Sequence, residues 1–182
     1  MQPIIYDVAV SIDGFIAGPD GDITGFSESG PVVDDYLARL ETYAFAIMGR
    51  ATYEFGYRFG LKPGDIPYSS MDCHVFSQTL TLPAGSRVEL VREPAVDRAR
   101  RLKTVSTGPI YLCGGGRLAG SLMEAGLIDI LRLKRAPITL GGGVRLFEGG
   151  IAETGLQHAE TRCYDDGYIY QEFRLPDGGA NN

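Results

Sequence analysis

The stretch Ile110-Tyr111-Leu112-Cys113-Gly114-Gly115-Gly116-Arg117-Leu118-Ala119 decides how this chain is read. Its short apolar opening predicts a strand buried on both faces. The glycines predict a turn that a ligand can approach closely. Leu118, Leu122 and Met123 give the inward side of a helix, which Gly126 closes as a left-handed residue. A helix that starts directly after such a turn offers free N–H groups and a partial positive charge, which suits a diphosphate. Gly114-x-Gly116-x-x-Ala119 also satisfies the dinucleotide fingerprint. A Rossmann unit, however, places that fingerprint early, with an acid ~20 residues further on. Here Lys134 and Arg135 occupy that region. The stretch therefore reads as a diphosphate site outside a Rossmann unit, against the alternative of a tight turn that needs glycine for sterics alone.

Elements on either side fit one pattern. Ile4 to Val10 predicts a buried strand, and Ser11 to Gly30 a long ordered loop or active-site cover. Pro31 to Tyr43 predicts a helix, because Val33, Tyr36, Leu37, Leu40 and Tyr43 recur at steps of three and four. Ala44 to Met48, His74 to Ser77 and Arg87 to Val91 predict further strands, and Pro94 opens another helix. Ile128 to Ala136 alternates aliphatic and charged residues, the mark of a half-exposed strand. Leu156 to Tyr164 and Tyr168 to Leu175 flank Asp165-Asp166-Gly167, a hairpin signal. Strands alternate with helices first and a hairpin comes last. The expected fold is a three-layer α/β/α domain over residues 1–176, with a mixed, mostly parallel sheet and an antiparallel C-terminal hairpin. Residues 177–182 read as a frayed tail.

Composition narrows the function. The chain has 182 residues, 17 Lys and Arg against 23 Asp and Glu, and a net charge of −6, with no basic cluster to neutralise a nucleic-acid backbone. No apolar stretch reaches the ~20 residues that cross a bilayer, and Met1-Gln2-Pro3 lacks a basic leader, so no signal peptide is expected. Cys73, Cys113 and Cys163 form an odd, widely spaced set, which predicts reduced thiols in a cytoplasmic protein. No ligand spacing for a metal is visible, and Asp20-Gly21-Asp22 lacks the rest of a calcium loop. Ser11 has no base placed by sequence to make it a nucleophile. The second chemical signal is Met48-Gly49-Arg50-Ala51-Thr52-Tyr53-Glu54, where backbone amides, a guanidinium and a hydroxyl meet at the carboxyl end of a strand. Open α/β sheets place ligands there, and two anion sites on one sheet edge suit a dinucleotide.

An ordered set of motifs carries a resemblance. It runs Ser11-x-Asp13-Gly14-Phe15-Ile16-Ala17, Met48-Gly49-Arg50-x-Thr52-Tyr53-Glu54, Phe76-Ser77, Gly114-Gly115-Gly116-Arg117-Leu118, Leu127-Ile128-Asp129 and Pro137-Ile138-Thr139-Leu140-Gly141-Gly142-Gly143-x-x-Leu146-Phe147. Over Ile4 to Leu175 the chain resembles the dihydrofolate-reductase-like family. Within it the chain is similar to standalone relatives of the reductase domain of riboflavin-biosynthesis deaminase-reductases. The resemblance implies an oxidoreductase that moves hydride from NADPH, with NADH as the alternative, to a small heterocyclic or carbonyl substrate. It implies that Ala9, Ile16, Gly49, Arg50, Ala51, Thr52, Ser77, Gln78, Gly114, Gly115, Gly116, Arg117 and Leu118 bind the cofactor. Asp13, Phe15, Asp34, Asp35 and Cys113 would face the substrate, and a homodimer is expected. Gln78 stands where the family often has an arginine for the 2′-phosphate. Phe15 and Cys113 stand where riboflavin-pathway reductases often have an arginine and a glutamate, which points to a less polar substrate. The alternative is a nucleotide-binding regulatory module without turnover.

Overall fold

The run Ile4–Val10, apolar but for Asp7, forms β1, and in the computed structural model, which describes residues 1–176, it lies inside the sheet. The tail expected over 177–182 lies outside the described residues. In chain order there follow β2 (Phe15–Ala17), α1 (Pro31–Leu40), β3 (Phe45–Gly49), α2 (Arg50–Phe55), β4 (Asp72–Phe76), β5 (Glu89–Val91) and α3 (Ala95–Val105). Then come β6 (Ile110–Gly114), α4 (Gly116–Glu124), β7 (Ile130–Arg135), β8 (Val144–Arg145), β9 (Gln157–Cys163) and β10 (Ile169–Arg174). The main sheet has eight strands in the order β5-β4-β3-β6-β1-β7-β10-β9. Pairings from β5 to β7 are parallel, and β10 runs antiparallel to both β7 and β9. Alternate residues of β1 enter different layers. Ile4 and Tyr6 pack with Ala99, Leu102, Leu118 and Leu122 of α3 and α4. Ile5 packs on the other face with Leu40 and Tyr53 of α1 and α2. This is the three-layer α/β/α arrangement that the element order predicts.

Several local expectations change. Helix α1 ends at Leu40, not Tyr43. The Thr42 amide and hydroxyl both turn back to the Arg39 carbonyl, and the Tyr43 ring drops onto Tyr111 with centroids 5.2 Å apart. Strand β7 is more covered than a half-exposed strand: it lies between β1 and β10, none of its residues is fully exposed, and its Lys134 is 7% exposed. Its charged residues mimic a solvent face because their partners come from distant elements. In the hairpin, Tyr168 and Tyr170 turn inward and are buried, while all seven residues of the edge strand β9 are exposed. The region Ser11 to Gly30 is not wholly loop, because β2 pairs with β8 in a separate two-stranded sheet.

The segment around β8 straps the start of α4. The Glu148 amide donates to the Gly116 carbonyl at 2.9 Å, and the Tyr6 hydroxyl donates to the Leu146 carbonyl at 3.1 Å. Contact is so close that a Cβ on Gly120 would overlap the Glu148 carbonyl oxygen. Alanine in place of a mid-helix glycine ordinarily stabilises by about 0.5–1 kcal/mol. At this position the sign reverses. Gly120→Ala is expected to destabilise by about 1–3 kcal/mol, the usual cost of overpacking. Denaturant midpoints check this; a midpoint equal to or above the wild type would show that the strap yields freely.

Candidate active site

Two concavities open at the carboxyl ends of the central strands. The first is a groove of about 650 Å³ between the β3–α2 and β6–α4 turns. Gly49, Arg50, Ala51 and Thr52 line one side, and Gly115, Gly116, Arg117 and Leu118 the other. Neither α2 nor α4 has a side-chain cap at its N-terminus, so the first-turn amides of α4 are available to an anion. The Gly114–Gly115 peptide is cis. The three glycines serve different needs. Gly114 has φ 125°, a conformation that side-chain-bearing residues rarely adopt. A Cβ on Gly116 would overlap the Arg145 carbonyl oxygen. A Cβ on Gly115 would meet the Thr52 hydroxyl across the groove at 3.3 Å. Gly49 faces open space, with nothing within 4 Å of an added Cβ. Arg50 is clamped by Glu54 at 2.9 Å and the Thr79 hydroxyl at 2.8 Å.

Ser77 and Gln78 lie beyond the groove's end. The Ser77 hydroxyl accepts from the amides of Thr79 and Leu80, and the Gln78 side-chain amide donates to the Arg92 carbonyl. The cation at this turn is Arg92, whose guanidinium donates to the carbonyls of Ser77, Gln78 and Leu80. Nothing in the sequence around position 92 marks it, since it follows Gln78 by a whole strand.

The second concavity, about 370 Å³, is walled by Ile23, Phe26, Val33 and Phe55 and floored by Asp7, Tyr36, Tyr111, Cys113 and Lys134. Ala9 and Ile16, expected beside the cofactor, line this cavity. Lys134 Nζ donates to Asp7 Oδ1 at 2.8 Å and sits 3.5 Å from the centre of the Tyr36 ring. Arg39 Nε donates to Asp7 Oδ2, also at 2.8 Å. Burial works to raise the Asp7 carboxyl, but the Lys134 ammonium and the Arg39 guanidinium outweigh it and hold the carboxyl below its ordinary value. Burial draws Lys134 below the usual lysine range, against the opposing pull of Asp7. The Tyr36 and Tyr111 hydroxyls share a hydrogen bond of 2.7 Å, and Tyr68 meets the Cys113 thiol at 3.1 Å. Burial raises the Tyr36, Tyr68, Tyr111 and Cys113 values, so these groups stay neutral near pH 7.

Some expected residues fall elsewhere. The phase of α1 sends Val33 and Tyr36 into the cavity, leaving Asp34 exposed and Asp35 bonded to Arg162 and to the Tyr164 hydroxyl. Both acids are therefore away from the cavity. Phe15 packs against Arg145, whose guanidinium carbon is 5.7 Å from the ring centre, and lines neither concavity. Sequence reasoning passed over Asp7, Arg39 and Lys134. Their available signal was an acid in one apolar strand and a base in another.

Asp13 ties two loops. Its carboxylate accepts from the Ser11 hydroxyl at 2.6 Å and from the Leu140 and Gly141 amides, and the Ser11 hydroxyl accepts from the Phe15 amide. The Ser11 hydrogen bond first, and then the two amides, lower its value to about 2. A depressed carboxyl contributes stability above its unfolded value near 4, and that contribution is lost as pH falls through about 2. The wild-type melting temperature is therefore expected to fall more steeply over this interval than that of Asp13→Asn. Parallel slopes would remove Asp13 as the acid-sensitive tie.

Comparison with known proteins adds relatives to this geometry. The family model described as the RibD C-terminal domain matches residues 2–170. The uncharacterized protein YwjB of Bacillus subtilis (strain 168) is 31% identical over 164 residues, covering 90% of this chain and 92% of the relative. A putative riboflavin biosynthesis protein from Shewanella sp. PV-4 has a crystal structure that superposes with a TM-score of 0.80 at 27% identity, covering 97% and 99% of the two chains. Dihydrofolate reductase from Enterococcus faecalis, solved as a complex with NADP(H), shares the fold, with a TM-score of 0.68 at 17% identity and coverage of 96% and 97%.

Proposed function

The chain belongs to the RibD C-terminal domain family, and from that premise we propose that it is an NAD(P)H-dependent reductase of a small heterocyclic or carbonyl substrate. One observation carries this reading: neighbouring residues of the same stretches of chain line the groove and the cavity. Gly115 lines the groove and Cys113 the cavity, while the sequence neighbours Glu54 and Phe55 fall one in each. A nucleotide-binding regulator has no use for the second space, whereas a reductase needs it for the acceptor.

The residues present fit a dinucleotide. Amides at the start of α4 would hold the diphosphate, with the Thr52 hydroxyl across the groove. Open space at Gly49 lets a ligand approach the backbone closely. The turn at Ser77 and Gln78, with Arg92 as its cation, would face the adenosine end, which favours NADPH over NADH. A bound reduced nicotinamide supplies the hydride. The apolar walls of the cavity hold the acceptor and exclude water.

Gly49→Val tests the groove, because an added Cβ meets nothing within 4 Å and the extended backbone there accepts any residue. NADPH is expected to raise the wild-type melting temperature. The variant, with an unchanged ligand-free melting temperature, is expected to bind NADPH at least about tenfold more weakly, or about 1.4 kcal/mol. A wild type whose melting temperature ignores millimolar NADPH and NADH would overturn the cofactor reading.

We also propose that the chain forms a homodimer through β9. This strand is one edge of the main sheet and is exposed along its whole length, a liability unless another chain covers it. Light scattering is expected to give about twice the 19.7 kDa of one chain. A mass near one chain removes the dimer, and a dimer that Leu156→Asp leaves intact moves the interface away from β9.

A further inference from the structure

Behind the cavity runs a partly buried network that no local motif explains. It joins Asp7 of β1, Arg39 of α1, Arg132 and Lys134 of β7 and Glu172 of β10. The Tyr43 hydroxyl bridges its halves, donating to Asp7 Oδ2 at 3.3 Å and accepting from Arg132 at 3.1 Å. Arg132 pairs with Glu172 at 2.8 Å, and both Arg39 and Lys134 converge on Asp7. Three cations thus share two carboxylates. A purely structural network tends toward balance, because each buried ion costs several kcal/mol to dehydrate. Within these five groups one positive charge is left over, and the nearest further carboxylate, Asp35, acts on Arg39 while itself paired with Arg162.

The surplus is presented at a defined place. Of the five ionised groups only Asp7 and Lys134 line the cavity. Asp7 is engaged by Lys134, Arg39 and Tyr43. The Lys134 ammonium has three protons, and it makes one hydrogen bond to Asp7 and one contact with the Tyr36 ring face. It therefore retains donor capacity toward the cavity. The other groups facing it are Tyr36 and Arg39 from α1, Tyr111 and Cys113 from β6, Tyr68 from the segment before β4 and Tyr170 from β10. None is a carboxylate that could absorb the charge. Around it, Phe26, Phe55 and Tyr36 give the space aromatic walls, suited to a flat ring.

We propose that the cavity receives a planar ring bearing an anionic or strongly electron-rich oxygen, and that Lys134 is the group that grips this oxygen. Asp7 and Arg39 are positioning residues that hold the ammonium against Tyr36. This assignment rests on the reductase reading for its place in a reaction, but the site itself exists in the protein without cofactor.

Pyridoxal, a flat pyridine aldehyde with a phenolic oxygen beside the aldehyde, is the probe. It is added to the cofactor-free protein, the imine is trapped with borohydride, and the modified lysines are mapped by mass spectrometry. The chain has three lysines, at 62, 103 and 134. Lys62 is exposed, and Lys103, paired with Asp129 away from the cavity, is as deeply buried as Lys134 at 9% against 7%. Labelling of Lys134 is expected to saturate with pyridoxal concentration and to exceed that of Lys103 at least tenfold. Labelling of Lys62 is expected to rise linearly. In Lys134→Met the saturable fraction is expected to vanish. Equal labelling of Lys103 and Lys134, or a linear rise at Lys134, would overturn the proposal. NADPH melting shifts on the same samples separate the two readings: saturable labelling without an NADPH shift removes the reductase and keeps the site, and the reverse removes Lys134 from the site.

Discussion

The contact between the buried Asp7 carboxylate and the Lys134 ammonium is the constraint on which the rest of this architecture depends. It joins neighbouring parallel strands from opposite ends of the chain, and through Arg39 it fastens α1 to the same point. Removing one member of such a pair leaves an uncompensated charge, at a cost of about 3–5 kcal/mol. Replacing the whole cluster with apolar side chains would often cost nothing. Stability alone therefore does not account for it. The cluster sets where charge stands in the cavity.

The groove obeys a second kind of constraint, which is steric. Backbone crosses backbone where the strap around β8 lies on α4, and Gly116 and Gly120 have no room for a Cβ. Gly143 is equally confined beneath Ala17 and Gly18. These contacts fix the height of the α4 N-terminus relative to Gly49 and Thr52. The width of the groove is thus set by packing on its far side, while the glycines that face the groove, Gly49 and Gly115, remain unobstructed or nearly so.

How far these features show in sequence depends on whether their causes are local. The Gly114–Gly116 turn and the start of α4 are legible because a short apolar strand, glycines and a helix period are all neighbours in the chain. The strand–helix alternation is legible for the same reason, and it predicts the three-layer fold. The β2–β8 pairing is not, since its strands are three and two residues long and lie far apart in the chain. Nor is Lys134. Alternating charge in β7 looks like a solvent face unless Asp7 and Glu172 are known to lie opposite. Asp34 and Asp35 fall outside the cavity by rotation: both sit in the first turns of α1, but Val33 and Tyr36 share the inward side. Tyr168 and Tyr170 show the same limit, because pattern alone does not say which face of a hairpin another layer will cover.

Asp13 has a consequence for how such proteins can diverge. Its carboxylate takes amides from Leu140 and Gly141, more than 120 positions away in sequence, so the loop after β1 and the loop after β7 form one mechanical unit. The Ile12 amide, donating to the Ile138 carbonyl at 2.8 Å, adds a second rivet. A change in either loop is inherited by the other as altered footing. Lineages in this family should then carry the two segments as a matched cassette, and a chimera that imports one without the other inherits half of a hinge.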